Sequence, residues 1–515
     1  MAGLRYWSIP LSLLIVSLAA YGGMVSMQLR HGNLGTTEVA EFLAWFGLAF
    51  AAYAGAIFWL ERWWQARGRA DPTSRPSFRG FYLLAAIWGG AILFRWLLLQ
   101  TFPTLSSDVF RYMWDGHVTV NGVSPYAFPI DASQLDWLDA PFRSQANHAW
   151  MASPYMPAAQ WFFAAIAQFY PLDPQSFQIS AVLFDLATAF IISRLLLLAG
   201  LPSHRLFIYL WNPLVIVETA QGAHVDALMV MLMMLAVYAI LSMPASTGRA
   251  TQPDSPRTVS AKPAFALLSP ALLALATLTK LIPGILAPVF WWRWNWGSRI
   301  LYVYLTFAML VSPALRAGWG LTGELDGRGL FGALRIYNKQ WNFNSGIFLW
   351  LKNWLESMGI GDPMVQAQEI TYFLLFILLI YLWWRFPRNQ TDVRSTLRWL
   401  AVPVAGYLLI TTTVHPWYLL TLMPFLPFLA PAVNEPIRRW LLPLPWLWLS
   451  GAIALSYVTY IDPENLRELD WVRQTEWLPT LGLLGIALLW GSEKPVRLPG
   501  IFAGKEAESS AENHA

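Results

Sequence analysis

The sequence contains no cysteine among its 515 residues. Disulfide bonds, thiolate metal sites and cysteine nucleophiles are therefore excluded, and any metal ion would need oxygen or imidazole ligands. Charged residues are scarce at 12%, whereas soluble globular chains usually carry about a quarter. Hydrophobic residues make up 56% of the chain. This balance excludes an ordinary soluble enzyme and predicts a protein whose main solvent is lipid.

Long polar segments are also missing, so we predict one all-α, polytopic membrane domain over residues 1–491. The apolar runs correspond to roughly 12–14 transmembrane helices. The run at 281–292 is too short to cross directly, and we expect it to be tilted, broken or half-spanning. The first run, 7–28, lacks a following cleavage site and predicts an uncleaved helix. Residues 492–515 are predicted to be a disordered cytoplasmic tail.

Lysine and arginine collect in one set of loops, which the positive-inside rule makes cytoplasmic. Counting spans from those loops places both termini in the cytoplasm and the large loop 103–157 on the extracytoplasmic side. This topology requires that 158–171 does not cross, so we expect an interfacial or re-entrant helix there. The net charge of +4 arises from these loop clusters. No nucleic-acid partner is therefore expected.

The large loop begins with SSDVFRYMWDG, in which Asp108, Arg111 and Asp115 recur at helical spacing. Ser106 or Ser107 can cap this helix, and the spacing places the three charged residues on one face. Such a face can present a carboxylate as a general base. The alternative is a solvated first turn with capping acids and an ion pair, which is the commoner origin of an isolated motif of this kind.

The predicted topology brings further polar and aromatic residues to the same rim of the membrane. Charges beside hydrocarbon cost free energy, so function is the default explanation for them. Cations among them suit a phosphate group. For each residue alone, a helix cap, an interfacial aromatic or a snorkelling lysine is an equal alternative. The residues are Glu218, His224, Asp226, Lys280, Arg335, Lys339, Trp341, Asn344, His415, Trp417 and Tyr418.

In order and spacing, these segments resemble bacterial polytopic glycosyltransferases of the GT-C superfamily, especially the polyprenyl-phosphate-mannose-dependent mannosyltransferases related to glycosyltransferase family 87. The resemblance covers most of residues 79–430. Its motifs are SSDVFRYMWDG with NGVSPY, PYMP, WNPLVIVE with GAHVDA, Thr279-Lys280, YNKQWNFNSG and HPWYLL. It implies a GT-C-type core with short extracytoplasmic loop helices, preceded by extra N-terminal helices over 1–64.

The resemblance implies transfer of a hexose, expected to be mannose, from a polyprenyl-phosphate donor to a lipid or glycan acceptor at the extracytoplasmic face of a bacterial cytoplasmic membrane. It assigns the general base to Asp108, with Asp115 as the rival. The phosphate leaves as a stable anion, so an inverting single displacement can run with one carboxylate and a set of cations. The candidate phosphate ligands are Lys280, Arg335, Lys339 and His415.

The remaining candidates are contacts to the sugar or the acceptor. They are Arg111, Tyr112, Trp114, Tyr126, Glu218, His224, Asp226, Trp341, Asn344, Trp417 and Tyr418. No cofactor is expected to be required. A divalent metal could bind Asp108, Glu218, His224 and Asp226, but their spacing is not diagnostic.

Two other interpretations stay open at this point. A transporter or flippase for a lipid-linked sugar would also need a lined cavity, although its site should lie near the bilayer midplane between repeated halves. The sequence shows no such repeat. An O-antigen-ligase-like transferase would differ mainly in using a diphosphate carrier.

Overall fold

The computed structural model describes residues 2–31, 38–68, 78–242, 263–322, 325–387, 390–431, 437–461 and 467–490. Within these ranges the chain is helical, and its one β-bridge joins Phe343 to Thr413. The all-α class predicted from the sequence is confirmed. The predicted tail at 492–515 lies outside the described residues.

The α-helices follow one another along the whole described chain. In order they are α1 Ala2–His31, α2 Val39–Gly68, α3 Phe78–Leu98, α4 Asp108–Val120, α5 Pro157–Phe169, α6 Pro174–Leu198, α7 Phe207–Leu210, α8 Pro213–Ile216, α9 Asp226–Leu241, α10 Pro263–Thr279, α11 Ala287–Trp291, α12 Trp296–Ala317, α13 Gly332–Gln340, α14 Ile347–Ser357, α15 Pro363–Arg385, α16 Val393–Ile410, α17 Leu426–Leu429, α18 Leu444–Ala452 and α19 Asp470–Trp490. The 3-10 helices are Ser133–Leu138, Arg143–Gln145, Ser203–Leu206, Ile282–Leu286, Pro416–Thr421, Met423–Phe425, Ile437–Leu441 and Ile453–Tyr460.

Six of the described helices are long and apolar enough to cross a membrane: α1, α2, α3, α6, α12 and α15. A seventh span results if Pro213–Gln221 and Asp226–Leu241, which meet at 120°, are counted together. The chain is therefore a multi-pass membrane protein. Other apolar runs of the predicted 12–14 fold as shorter helices; the run 281–292, for example, breaks into Ile282–Leu286 and α11.

Buried charges tie the spanning helices together through one ion pair. Arg95 on α3 donates from Nε to Asp185 on α6 at 2.5 Å, and Tyr209 donates its hydroxyl to the same carboxylate at 2.7 Å. Arg95 also donates to the carbonyls of Ala91 and Leu210. Charges this deeply buried are tolerated only when paired and hydrogen-bonded. The pair therefore fixes α3 against α6.

The first helix of the large loop packs on the helix that follows the loop. Helix α4 lies directly on α5, with so little space that a Cβ on Gly116 would stand 2.5 Å from the carbonyl oxygen of Phe163. Helix α5 has 13 residues. It is therefore about 20 Å long, less than the roughly 30 Å hydrocarbon core of a bilayer. This length agrees with the prediction that residues 158–171 do not cross.

A sharp break separates α8 from α9. The chain continues from α8 as a π-helix, Val217–Gln221, a form that often marks functional sites. Ala223 then adopts a left-handed φ of 56°. Gly222 has no room for a side chain, because a Cβ there would stand 2.6 Å from Cδ2 of His224. The break thus brings Glu218 and His224 close together at the start of α9.

Candidate active site

A cavity of about 1390 Å³ opens among the loops and helix ends. One part of its wall is apolar and comes from the 3-10 helix Ile282–Leu286, α13, α15 and α16, with Ile282, Ile285, Leu334, Leu375 and Tyr407. The lining also includes polar side chains from the start of α4, the 3-10 helix Ile453–Tyr460 and the segment before α19: Ser106, Asp108, Thr459, Tyr460, Arg467 and Glu468. These form the polar wall. A cavity with two such walls suits a ligand or ligand pair of mixed polarity.

Asp108 begins α4 and lines the cavity. Of the two serines that the sequence offered as caps, Ser107 is the N-cap residue but makes no side-chain hydrogen bond, whereas the Ser106 hydroxyl accepts the backbone N–H of Asp108 at 3.2 Å. Asn147 donates from Nδ2 to Oδ1 at 2.7 Å. The side chain keeps 18% of its surface exposed. Asp108 is therefore held in place while remaining accessible from the cavity.

Asp115 lies two turns further along α4 and is sealed in the protein. Its carboxylate accepts from Arg111 Nε at 3.1 Å, from Gln160 Nε2 at 2.9 Å and from the hydroxyl of Ser153. Asp115 is 1% exposed and does not line the cavity. The geometry gives this rival base no access to a substrate.

Arg111 is also buried, and its guanidinium donates hydrogen bonds to backbone carbonyls in the segment 147–151. It donates to the carbonyls of Asn147 and His148 at 3.3 Å and of Met151 at 3.0 Å. These bonds fix the backbone that carries the Asn147 amide against Asp108. Arg111 thus supports Asp108 through Asn147 and does not touch the cavity, in contrast to its predicted contact with the sugar.

His224 and Glu218 lie behind Asp108, outside the cavity lining. Nδ1 of His224 is 3.8 Å from Oδ2 of Asp108, and its Nε2 is 3.2 Å from Oε2 of Glu218. The Tyr457 hydroxyl contacts both oxygens of Glu218, at 2.9 and 3.1 Å. Trp417 stacks on the His224 ring at 4.0 Å between centroids. Direct contact of His224 or Glu218 with a sugar is therefore blocked in this structure.

Lys280 lines the cavity and also contacts residues of the neighbouring helices. Its Nζ donates to both oxygens of Asp226 at 2.8 Å and lies 4.5 Å from the centroid of the Tyr418 ring. Asp226 is fully buried and does not line the cavity, whereas Lys280 does. Asp226 therefore orients the ammonium group of Lys280, and its predicted contact with the sugar has no support in this geometry.

The two other predicted cations occupy different positions. Arg335 lines the cavity and donates to the Leu321 carbonyl at 3.1 Å, which leaves further N–H groups of its guanidinium for a ligand. Lys339 is exposed and lies outside the cavity lining. Lys280 and Arg335 are thus the predicted phosphate ligands that the cavity brings together.

The N-terminal domain of the alpha-(1->6)-mannopyranosyltransferase family matches residues 11–296, more than half of the chain. The chain belongs to this family. It is therefore a mannosyltransferase of the GT-C type, as the sequence motifs indicated. The match contains Asp108, Glu218, His224 and Lys280, and it also contains most of α1 and α2, which the resemblance set apart as additions over 1–64. No curated protein and no solved structure matches the chain.

Aromatic side chains line the mannosyltransferase cavity beside its polar groups. Trp341, Trp417 and Tyr418 contribute to the lining as predicted, and the Tyr337 hydroxyl lies 2.8 Å from that of Tyr418. Trp341 packs edge-on against His148 at 4.7 Å between centroids. Rings of this kind stack on the apolar faces of sugars.

His415 lines the cavity within a stack of rings, between Phe343 at 4.7 Å and Trp417 at 4.5 Å. Burial among these rings lowers the pKa of His415 to about 3. The imidazole is therefore neutral near pH 7 and offers an N–H group, not a charge. The prediction that His415 adds a cation for phosphate needs this correction.

Four further predicted ligands lie outside the cavity lining and pack the surrounding structure. Tyr112 stacks on Phe163 at 4.6 Å, and Trp114 lies under the guanidinium of Arg143. Tyr126 donates to the Tyr155 carbonyl at 2.7 Å. Asn344 is buried, and its backbone N–H donates to Glu468 at 2.8 Å. These four residues shape the site from behind.

Sequence reasoning missed several residues that line the mannosyltransferase cavity, among them Asn147, His148, Tyr460 and Glu468. The signal that could have found Asn147 and His148 was the topology, because both lie in the loop 103–157, which was predicted on the same side as the other candidates. Burial raises the pKa of Glu468, while the Asn344 N–H and Arg473 oppose this rise. Glu468 is thus a second carboxylate at the cavity.

The suggested metal ligands do not come together as a set. In the described part of the chain, no group of three or more histidine, aspartate or glutamate side chains has the geometry of a metal site. Asp226 has both oxygens bound to Lys280, and Glu218 is bound by Tyr457. Asp108 keeps one oxygen near a nitrogen of His224, which is itself a donor in one of its tautomers.

Proposed function

We propose that the chain transfers mannose from a polyprenyl-phosphate donor to a hydroxyl of a glycan or lipid acceptor, by inverting single displacement with Asp108 as general base. One observation carries the proposal: the accessible carboxylate of Asp108 lines the same cavity as the cations Lys280 and Arg335. A base for the incoming hydroxyl and cations for a departing phosphate are the groups this reaction needs.

In the proposed step, the acceptor oxygen forms a bond to the anomeric carbon while the bond from that carbon to the phosphate oxygen breaks. The hydroxyl proton moves to a carboxylate oxygen of Asp108. The electron pair of the broken bond leaves with polyprenyl phosphate, whose charge Lys280 and Arg335 stabilise. No acid has to protonate the leaving group, in contrast to a glycosidase, and the proposed step requires no cofactor.

The apolar wall supports a lipid-linked donor over a soluble nucleotide sugar. Ile282, Ile285, Leu334 and Leu375 line it, next to Lys280 at the end of α10. An isoprenoid chain loses exposure to water when it lies on such a wall, and its phosphate then reaches the Lys280 ammonium. An apolar wall would leave the nucleoside of a nucleotide sugar without hydrogen bonds. Thus the donor chain is proposed to lie along α13 and α15.

The polar wall supports a saccharide on the acceptor side. Thr459, Tyr460, Arg467 and Glu468 offer hydroxyl, guanidinium and carboxylate groups, which form hydrogen bonds with sugar hydroxyls. Tyr460 lines the same cavity as the carboxylates of Asp108 and Glu468. The name of the family further points to the 6-hydroxyl of a mannose as the acceptor.

The name of the family also bears on stereochemistry. An alpha product from an inverting displacement requires a beta-linked donor. We therefore propose a beta-linked polyprenyl-phosphate mannose. The positive-inside rule supports a site on the extracytoplasmic face of a bacterial cytoplasmic membrane, with both termini in the cytoplasm.

The donor assignment is tested with purified protein in lipid nanodiscs. Radiolabelled polyprenyl-phosphate mannose and radiolabelled GDP-mannose are supplied separately with a mannoside acceptor, and we expect label in the product with the lipid donor alone. Transfer from GDP-mannose in the absence of the lipid would reject the donor. In liposomes, movement of the donor across the bilayer without its consumption would favour the transporter interpretation.

Three lysine variants then test the position of the phosphate. Lys280→Gln should raise the KM for the lipid donor about tenfold, because a charge-assisted hydrogen bond contributes about 1.5–3 kcal/mol. Lys339→Gln is the matched control, since Lys339 is exposed and lies outside the cavity lining. Lys280→Arg keeps a cation for Asp226 and separates loss of phosphate binding from loss of folding. Equal donor KM values in all three folded variants would contradict this phosphate site.

A further inference from the structure

His224 is buried against two carboxylates. It does not line the cavity, and membership of the family assigns it no role. We infer that His224 is a positioning residue, whose imidazole bridges Asp108 to Glu218 and holds the base of the transfer reaction in its reactive position. The inference rests on the proposed role of Asp108. It replaces the predicted contact of His224 and Glu218 with the sugar.

The geometry of the bridge is specific to the two ring nitrogens. Nδ1 lies 3.8 Å from Oδ2 of Asp108, and Nε2 lies 3.2 Å from Oε2 of Glu218. Among the described residues, neither nitrogen has a well-aligned hydrogen bond to another group. Catalytic hydrogen bonds in a substrate-free site are often long and tighten when substrate binds. The contact from Nδ1 to Asp108 is therefore poised to become a hydrogen bond.

The surroundings leave the imidazole ring little freedom. Trp417 stacks on it with an angle of 16° between the planes. A Cβ at Gly222 would stand 2.6 Å from its Cδ2, so the turn before α9 closes directly over the ring. Glu218 is itself anchored by the Tyr457 hydroxyl at both of its oxygens. Asp108 Oδ2 thus faces a ring whose position is set by three other elements.

Both ring nitrogens point at groups that only accept hydrogen bonds. A carboxylate has no hydrogen to donate, and both nitrogens of histidine are donors only in the doubly protonated form. A hydrogen on either ring nitrogen therefore points at a carboxylate oxygen, that of Asp108 on one side of the ring and that of Glu218 on the other.

Asn147 and His224 each contact a different oxygen of the Asp108 carboxylate. Asn147 Nδ2 holds Oδ1 at 2.7 Å, while His224 faces Oδ2. Two contacts from different elements fix the orientation of the carboxylate plane, which a single hydrogen bond cannot do. A displacement of about 1 Å in a reacting group can cost on the order of 10²-fold in rate.

The test compares single and double variants in the donor assay. His224→Gln should lower kcat about 10²-fold, with the KM values of donor and acceptor within about twofold of wild type, because the residue touches neither substrate. Glu218→Gln should lower kcat by a smaller factor. The double variant should be no slower than His224→Gln alone, since Glu218 acts through the histidine. A purely structural role would give independent losses and altered KM values.

The control is His117→Gln on α4, the helix that carries Asp108. Its Nε2 lies 3.1 Å from the Leu138 carbonyl, and its ring does not line the cavity. It should keep wild-type kcat. Wild-type kcat in folded His224→Gln, or fully multiplicative losses in the double variant, would overturn the inference. If His224→Gln does not fold, Glu218→Gln alone decides: its kcat must fall with KM unchanged. Retained activity in Asp108→Asn would reject the proposed base, a separate result.

Discussion

Two aspartates on helix α4 of this mannosyltransferase differ in their exposure to the cavity: Asp108 lines it and Asp115 is buried. Asp115 is enclosed, with donors from Arg111, Ser153 and Gln160 on its carboxylate. Asp108 starts the same helix at the cavity, with Asn147 on one oxygen and a longer contact from His224 on the other. A carboxylate whose lone pairs are occupied by fixed donors cannot easily accept another proton. The difference makes Asp115 a structural residue and supports Asp108 as the proposed base.

The largest expected effect is that of Asp108→Asn. Removal of a general base typically costs 10²–10⁴-fold, so we expect kcat to fall about 10³-fold. Asparagine keeps the size of the side chain and an oxygen for Asn147, and the thermal unfolding temperature should stay close to that of wild type. Single-turnover transfer from labelled donor measures the loss. Near-normal turnover in this variant would end the comparison in favour of another base.

Asp115→Asn is expected to act on stability instead. It leaves the buried guanidinium of Arg111 without its counter-charge, a change that costs about 3–5 kcal/mol in typical proteins. We expect a lower unfolding temperature in detergent and a nearly unchanged kcat for the protein that remains folded. Asp136→Asn is the control, because Asp136 pairs with Arg143 but is 69% exposed. A stable Asp115→Asn protein with a large loss of kcat would move the base to Asp115.

Asn147→Ala sharpens the comparison by removing a donor from Asp108. The hydrogen bond from Nδ2 to Oδ1 is 2.7 Å long, and bonds to charged groups contribute about 1.5–3 kcal/mol. We expect kcat to fall about tenfold, less than in Asp108→Asn, with little change in either KM. The measurement is steady-state transfer at saturating donor. A large rise in acceptor KM would instead make Asn147 a direct acceptor ligand.

The sequence was sufficient for the fold class and the family, because apolar runs and ordered motifs are local features of the chain. It also placed Asp108 among the candidates, and Asp108 lines the cavity. It also gave Lys280, as a cation at the end of an apolar helix. It could not distinguish Asp108 from Asp115, since both lie on one helix and their difference comes from Ser153 and Gln160. Tyr112 and Trp114 were predicted to contact the substrate, but both are buried outside the cavity lining. The sequence could not show this, because burial depends on tertiary packing.

Asn147 and Glu468 were missed for a related reason. Each is an ordinary polar residue in a loop, and neither belongs to a recognisable motif. They matter because Arg111 fixes the backbone around residues 147–151 and the Asn344 N–H fixes Glu468. Such long-range contacts leave no periodic pattern in the sequence. The role of His224 likewise depends on Glu218 and Asp108 meeting around one ring.

The smallest expected effect on kcat is that of replacing His415, a histidine at the same cavity. Its pKa of about 3 makes it neutral from about pH 5 to pH 8, so it adds no charge to the phosphate site. Glutamine keeps an N–H donor at this position, and His415→Gln should change kcat less than about threefold, the size of a weak neutral hydrogen bond. The slope of activity against pH in that range should stay the same. A rise in donor KM as large as that expected for Lys280→Gln would show that the ring carries charge when donor is bound.

The same pKa shift predicts a change in stability with pH. The pKa of His415 in the folded protein lies below its value of about 6.5 in the unfolded chain. As the pH falls below about 6.5, His415 therefore binds a proton in the unfolded chain but not in the folded protein. The contribution of His415 to the free energy of unfolding is therefore present above about pH 6.5 and is lost progressively towards pH 3. Unfolding temperatures should thus fall less between about pH 7 and pH 5 in His415→Gln than in wild type. Equal falls in both proteins would mean that the ring is protonated without unfolding, and His415 would then rejoin Lys280 as a cation of the cavity.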